Sequence, residues 1–169
     1  MGHGSTRRRN PQTARSANPK IGNISMAEKA SQTITIAAAP ERVWAIACEF
    51  ERYPEWAKDV KDVIIRERDG EGRPDQVEYR ASALGRSTHY TLSYDYSQAP
   101  NVLAWHMVRG DIMRTIDGAY HLSPAANGGT EVRYDLAIEL VVPLPGFVKR
   151  RAEVRILNTV RELKARAEA

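Results

Sequence analysis

A single cysteine, Cys48, stands in the 169 residues. It excludes an internal disulfide and any cysteine-cluster metal site, and it points to a reducing, cytoplasmic setting. The four histidines (His3, His89, His106 and His121) show no ligand spacing, so no metal is expected. No apolar run approaches the length of a membrane span, and no signal-peptide core follows Arg7-Arg8-Arg9. No glycine-rich phosphate loop follows a strand, which leaves nucleotide binding without a motif, and no cofactor is expected. No repeat of solenoid or propeller period is present. Positive charge is also missing from most of the chain. Six of the 25 basic and one of the 21 acidic residues fall in residues 1–30, leaving 19 basic against 20 acidic in the rest. The formal charge of +4 therefore belongs to the tail, and nucleic acid is not an expected partner of the body.

Residues 1–30 are poor in large apolar side chains and rich in Gly, Ser, Asn, Pro and Arg. Such a segment buries too little to offset its ordering entropy, so a disordered basic tail is expected. Arg7-Arg8-Arg9 could meet an acidic partner or a membrane surface; the plainer reading is a solvated tail, with Met26 a natural alternative start. Residues 31–169 are expected to form one domain, long enough to bury its core without staples.

That domain is organised around its last apolar helix, expected over 144–167. Val148, Ala152, Ile156, Thr159, Val160, Leu163 and Ala167 recur at helical spacing, and Pro145 suits the first turn. Upstream, Thr33–Ala38 alternates and is β-branched, as a first strand would be. Pro40 opens a helix to Phe50 with Val43, Trp44, Ala47 and Phe50 on its apolar stripe, and Pro54 and Trp56 belong to a second short helical turn. After Trp56 the period changes to two. Strands are expected over 59–69, 75–84, 87–97, 102–108, 112–122 and 131–142. The intervening turns, such as Gly70-Glu71-Gly72 and Gly85-Arg86, are short enough to imply an antiparallel meander. The expectation is an α+β fold in which a seven-stranded antiparallel sheet curves around a long C-terminal helix, with two short helices after the first strand.

This order resembles the helix-grip fold of the START-like, or SRPBCC, superfamily, which includes the birch-pollen allergens. Ile34-Thr35-Ile36, Ala39-Pro40-Glu41-Arg42-Val43-Trp44 and Phe50 through Trp56 look like the opening signature of its polyketide cyclase/dehydrase and coenzyme Q-binding-like branch. Gly118 through Leu122, Gly129 through Tyr134, and Leu144-Pro145 look like its later landmarks. The branch contains lipid carriers, quinone binders and ring-closing enzymes, so the resemblance implies a fold and not one activity.

Members of this fold hold a cavity between the concave sheet and the C-terminal helix, suited to apolar ligands. Strand parity turns Tyr79, Ala81, Tyr90, Tyr94, Tyr120 and Tyr134 toward it, and Trp105 with a less settled parity. Ala81, Ala83 and Gly118 would leave room beside the rings. On the helix, Lys149, Ala152, Arg155 and Ile156 complete the candidate ligand-binding set. Lys149 and Arg155 could bind an acidic or enolate oxygen, or could simply snorkel to water. The tyrosines could equally fill the core. The inward parity supplies phenols and no carboxylate, and no Ser-His-Asp arrangement emerges, so no catalytic residue is assigned. The leading expectation is binding or transport of a hydrophobic small molecule: a lipid, a quinone or a polyketide-like aromatic. The rivals are a polyketide cyclase/dehydrase and an interaction module with a vestigial cavity. Whether the chain is an enzyme, and whether it forms a homodimer, the sequence leaves open.

Overall fold

The period-two segments assemble into one seven-stranded antiparallel sheet of order β1-β7-β6-β5-β4-β3-β2. The computed structural model describes residues 27–83, 85–141 and 146–169, with side chains described from 29 onward and, in the last helix, from 157 onward. Along the chain come β1 (Ala27–Ile36), α1 (Pro40–Cys48), a single 3-10 turn (Phe50–Arg52) and α2 (Tyr53–Trp56). Then follow β2 (Val60–Arg68), β3 (Pro74–Ala83), β4 (Arg86–Asp95), β5 (Val102–Gly110), β6 (Met113–Pro124), β7 (Thr130–Leu140) and α3 (Gly146–Glu168). β2 to β7 are a meander of sequential neighbours, and β1 closes the order against β7.

Several boundaries shift from the sequence-based expectation, most by a residue or two, and those of β1 and α1 do so for a clear physical reason. β1 begins at Ala27 rather than Thr33, because its register on β7 runs from Ala27 opposite Glu139 to Ile36 opposite Thr130. Its first half carries no strong alternation; the partner strand supplies the order that local propensity does not. The domain therefore starts before residue 31, and the expected tail up to residue 26 lies outside the described residues. α1 stops at Cys48 instead of Phe50, since Glu49 leaves helical geometry at φ −83°, ψ 66°. That break turns Phe50 into the core, where its ring lies 4.2 Å from that of Tyr94. α3 is described from Gly146 to Glu168, and the expected start at 144 lies outside the described residues.

The turn between β2 and β3 is built on Asp69. One of its oxygens accepts from the Glu71 and Arg73 N–H groups, both at 2.9 Å, and the other from Arg73 Nε at 2.8 Å. Gly72 supplies the positive φ of 81° that the reversal requires.

The last turns of α3 are fastened to the start of the domain. Val160, Leu163 and Ala167 are buried, continuing the apolar stripe read from spacing. Arg42 donates to the Ala167 carbonyl from Nε (2.7 Å) and to the Ala169 carbonyl from Nη2 (3.2 Å). A guanidinium there satisfies carbonyls that a helix end leaves unpaired and complements its dipole. Lys164 Nζ donates to the Thr35 carbonyl (2.6 Å), Glu168 accepts from the Ala37 N–H (2.8 Å), and Arg166 donates to Glu55 (2.6 Å). β1, α1 and α2 thus hold one end of the helix against the sheet.

Candidate functional site

Between the sheet and α3 lies a cavity of about 200 Å³. Its walls come from β3 (Tyr79, Ala81, Ala83), β4 (Thr88, Tyr90, Leu92, Tyr94), β5 (Trp105), β6 (Met113, Ile116, Tyr120) and β7 (Tyr134, Leu136, Ile138, Leu140). Tyr53, Asp59, Val60, Ser82 and Thr159 complete the described lining. Register explains the cluster of rings. Tyr79 pairs with Tyr90, Tyr94 with Trp105, and Tyr120 with Tyr134. Cross-strand partners on one face lie within contact range, so period two on each strand becomes a band of aromatics across five of them. Tyr79 and Tyr90 stack at 5.4 Å between centroids, and Tyr120 and Tyr134 at 5.1 Å.

All seven strand residues expected at the site line this cavity: Tyr79, Ala81, Tyr90, Tyr94, Trp105, Tyr120 and Tyr134. The unsettled parity of Trp105 resolves inward. The helix set, Lys149, Ala152, Arg155 and Ile156, lies outside the residues whose side chains are described. One expectation about space is corrected. Gly118 leaves no room for a ligand, because the Trp105 indole occupies it. A Cβ on Gly118 would lie 2.5 Å from Trp105 Cε2 and Cζ2.

Several further residues line the cavity that the sequence pattern does not single out. Thr88 shares the parity of Tyr90 and is legible in principle; Thr159 lies on the apolar stripe of α3. Tyr53 sits in a short helical turn, where no period assigns a face, and Asp59, expected as the first residue of a strand, lies in the turn before β2. Asp59 is held there by its carbonyl, which accepts from the Ser82 N–H at 2.8 Å.

Two of the phenols meet each other and a third meets the backbone. The Tyr79 and Tyr94 hydroxyls are 2.6 Å apart. Tyr53 donates to the Ala47 carbonyl at 2.5 Å. Burial pushes the Tyr53, Tyr79, Tyr94, Tyr120 and Tyr134 hydroxyls well above the usual phenol range. Burial, reinforced by the Asp59 charge, raises Tyr90 to about 12. These groups stay protonated near neutral pH and act as hydrogen-bond donors, not as bases.

Two carboxyl groups approach the same region. Asp59 lines the cavity, and Glu162 of α3 is close enough to feel it. Burial pushes the Glu162 carboxyl up, a hydrogen bond from the Lys58 N–H (3.4 Å) opposes this, and the Asp59 charge adds to the rise. Asp95 and Asp117 are exposed and Asp135 and Glu139 half-buried, and none of the four lines the cavity. On the sheet surface Asp135 accepts from Ser31 (2.6 Å) and lies 3.2 Å from His121 Nε2. The carboxylate separates serine from histidine, so this cluster is not a nucleophile with its base. Burial raises the half-buried Cys48 thiol to about 12, against a smaller opposing effect of Arg73, which keeps it in the thiol form near neutral pH. Among the described residues no three His, Cys, Asp or Glu side chains gather as a metal site would need.

With this geometry in view, the similarities to known proteins fall into place. No curated protein matches the chain in sequence. A START superfamily protein from Mycobacterium smegmatis shares 26% identity over 83% of this chain and 97% of its own, with a TM-score of 0.76. The Zhui aromatase/cyclase from Streptomyces sp. R1128 superposes with a TM-score of 0.70 at 16% identity, over 84% of this chain and 94% of its own. The major latex-like protein 151 of Panax ginseng does so at 0.63 with 11% identity, over 85% and 99%. The latter two likenesses establish the helix-grip fold alone. The model of one family, described as polyketide cyclase / dehydrase and lipid transport, matches residues 27–168, from the first residue of β1 to the last of α3, and the chain belongs to that family.

Proposed function

We propose that this protein binds a hydrophobic small molecule, of the lipid, quinone or polyketide-like kind, in the cavity between its sheet and α3. The single observation that carries the reading is the cavity itself: about 200 Å³, walled chiefly by aromatic and aliphatic side chains with a few fixed hydrogen-bond donors. That combination is what small-molecule sites present. For scale, an engineered apolar cavity of about 150 Å³ accepts benzene. Tyr79, Ala81, Tyr90, Tyr94, Trp105, Tyr120 and Tyr134 are the proposed contacts. A vestigial cavity would be filled by its own side chains, and this volume speaks against that rival.

A second reading, ring closure or dehydration of a bound poly-keto chain, draws support from Asp59. A carboxylate across the wall from protonated phenols is the base-and-donor pairing that enolisation of a ketone needs. Turnover of a poly-keto thioester that disappears in Asp59→Asn would favour it over simple carriage.

The binding reading is tested by native mass spectrometry of freshly purified protein and by titration with a fluorescent apolar probe. Ala81 is only 6% exposed and faces the cavity. Ala81→Trp is expected to fold, with Tm close to the parent, and to abolish probe uptake. If the face were closed, the same change would overpack it and destabilise the protein by about 1–3 kcal/mol. An unstable Ala81→Trp variant beside a parent that takes up no probe would end the binding proposal.

A further inference from the structure

We propose that two copies of this chain pair through β2, edge to edge and antiparallel, with Ile64 on the twofold axis. The inference does not depend on what the cavity binds. It rests on the free edge of β2, on the chemistry along that edge, and on the register that this chemistry permits.

β2 stands last in the sheet order, with β3 on its other side. The opposite edge, β1, lies against α3, whose Lys164 takes the Thr35 carbonyl. From Asp62 to Ile65, between two register shifts, β2 pairs regularly with β3. The Val63 N–H donates to the Asp62 side chain at 3.0 Å, which marks it as turned from the sheet toward the free edge. Period two turns the Ile65 N–H the same way. Such an edge is a template for another strand.

The side chains along this edge complement themselves. Ile64 is a large apolar residue 40% exposed, on the outer face opposite Glu78. With Ile64 on the axis, the antiparallel register sets Val63 opposite Ile65, Asp62 opposite Arg66 and Lys61 opposite Glu67. Each charge meets its opposite and each apolar residue meets another, the cross-strand pairs that stabilise a sheet. Val63 of one copy then exchanges both backbone bonds with Ile65 of the other. Ile64 meets its own copy at the intervening position, where side chains approach closest. The Val63 N–H gives up Asp62 for a carbonyl, which frees that carboxylate for Arg66 of the second copy.

Neighbouring registers lack this match. A slide by two residues keeps the direction of the backbone bonds but sets Ile64 against Asp62 or against Arg66. Charges on an edge strand ordinarily guard it against pairing; these guard it against other registers and admit this one. The same patch is used by both copies, so the assembly closes at two. One strand pair buries less than the roughly 1,200 Å² of a stable complex, so a weak dimer is expected, with Kd on the order of 100 μM.

Sedimentation equilibrium of the full chain, from about 10 μM to about 1 mM, tests this. The dimer fraction should rise with concentration and fall in about 1 M salt, where charges are screened beyond about 3 Å. Lys61→Glu sets acidic side chains against each other and should weaken association about tenfold. Lys61→Glu/Glu67→Lys restores opposite charges and should recover the parent's affinity. Ile64→Lys, at an exposed position, places like charges on the axis and should also weaken association about tenfold; it serves if Lys61→Glu does not fold. Amide exchange at Val63 and Ile65 should slow as the protein is concentrated. A monomer at every concentration would overturn the proposal. A dimer indifferent to these changes would place the contact elsewhere and overturn it equally. A double variant as weak as Lys61→Glu would overturn the register.

Discussion

Gly118 and Glu162 show how much a single position can carry in this site. Gly118 lies opposite Trp105 in the β5–β6 register, and its missing side chain is what lets the indole lie flat on the sheet. Trp105 is itself wedged by Tyr120 at 5.1 Å and Tyr94 at 6.0 Å, so it has little freedom to retreat. Gly118→Ala is expected to destabilise by about 1–3 kcal/mol through overpacking, even though alanine usually suits a strand better than glycine. Urea denaturation followed by tryptophan fluorescence measures it; a neutral or stabilising result would mean the indole can move aside.

Glu162 gives a prediction with a definite sign. Its carboxyl is raised above the ordinary 4.5 by burial first and by Asp59 in addition. An acid whose pKa is higher folded than unfolded holds its proton more tightly in the native state. Its charge therefore opposes folding above the folded pKa, and the opposition fades as pH falls through that value toward 4.5. Glu162→Gln should stabilise the protein at pH 7 by a few tenths of a kcal/mol, modest because water screens a half-exposed group. Paired melts of the two proteins should converge below about pH 4. A gain that persists undiminished in acid would place its origin elsewhere than in the charge.

At the scale of elements, α3 is secured by its C-terminal turns. Arg42, from the first turn of α1, reaches the final carbonyls of the helix, so one side chain links the two helices that flank β1. Arg42→Ala is expected to cost about 1 kcal/mol, the low end for a hydrogen-bonded charge because the pair is partly exposed. It should also speed amide exchange in the last turn of α3 ahead of the strands. Uniform exchange across the domain would show that the contact is not local in its effect. The same elements show what period can reveal. In β4 and β7 large apolar side chains fall on every second residue (Tyr90, Leu92 and Tyr94; Val132, Tyr134, Leu136, Ile138 and Leu140), and the order of residues alone assigns their faces. β1 is legible only in part, because its N-terminal half is an edge segment ordered by β7 rather than by its own composition.

For the molecule as a whole, the boundary at β1 sets an expectation for the tail. All ten residues of β1 lie after Met26 and pair with β7. A chain beginning at Met26 should therefore melt within about 2 °C of the full one, less than the several degrees that a 1 kcal/mol change would produce in a domain of this size. Calorimetry of the two forms decides it, and a drop of many degrees would show that residues 1–25 pack on the body.

The architecture is determined locally. Helical spacing in the last segment, period two after Trp56 and short turns between strands suffice for a meander gripping a helix, because antiparallel neighbours and amphipathic faces leave few other ways to bury those stripes. Parity likewise places five tyrosines on one face. What parity cannot express is how rings from different strands meet. The 2.6 Å contact of Tyr79 with Tyr94 joins residues on two strands through their hydroxyl tips. The indole of Trp105 over Gly118 turns an apparent space into packing. Asp59, in the turn before β2, belongs to the wall with its carbonyl tied to Ser82. Each of these depends on distances between segments far apart in sequence, and such distances are set when the sheet closes on α3.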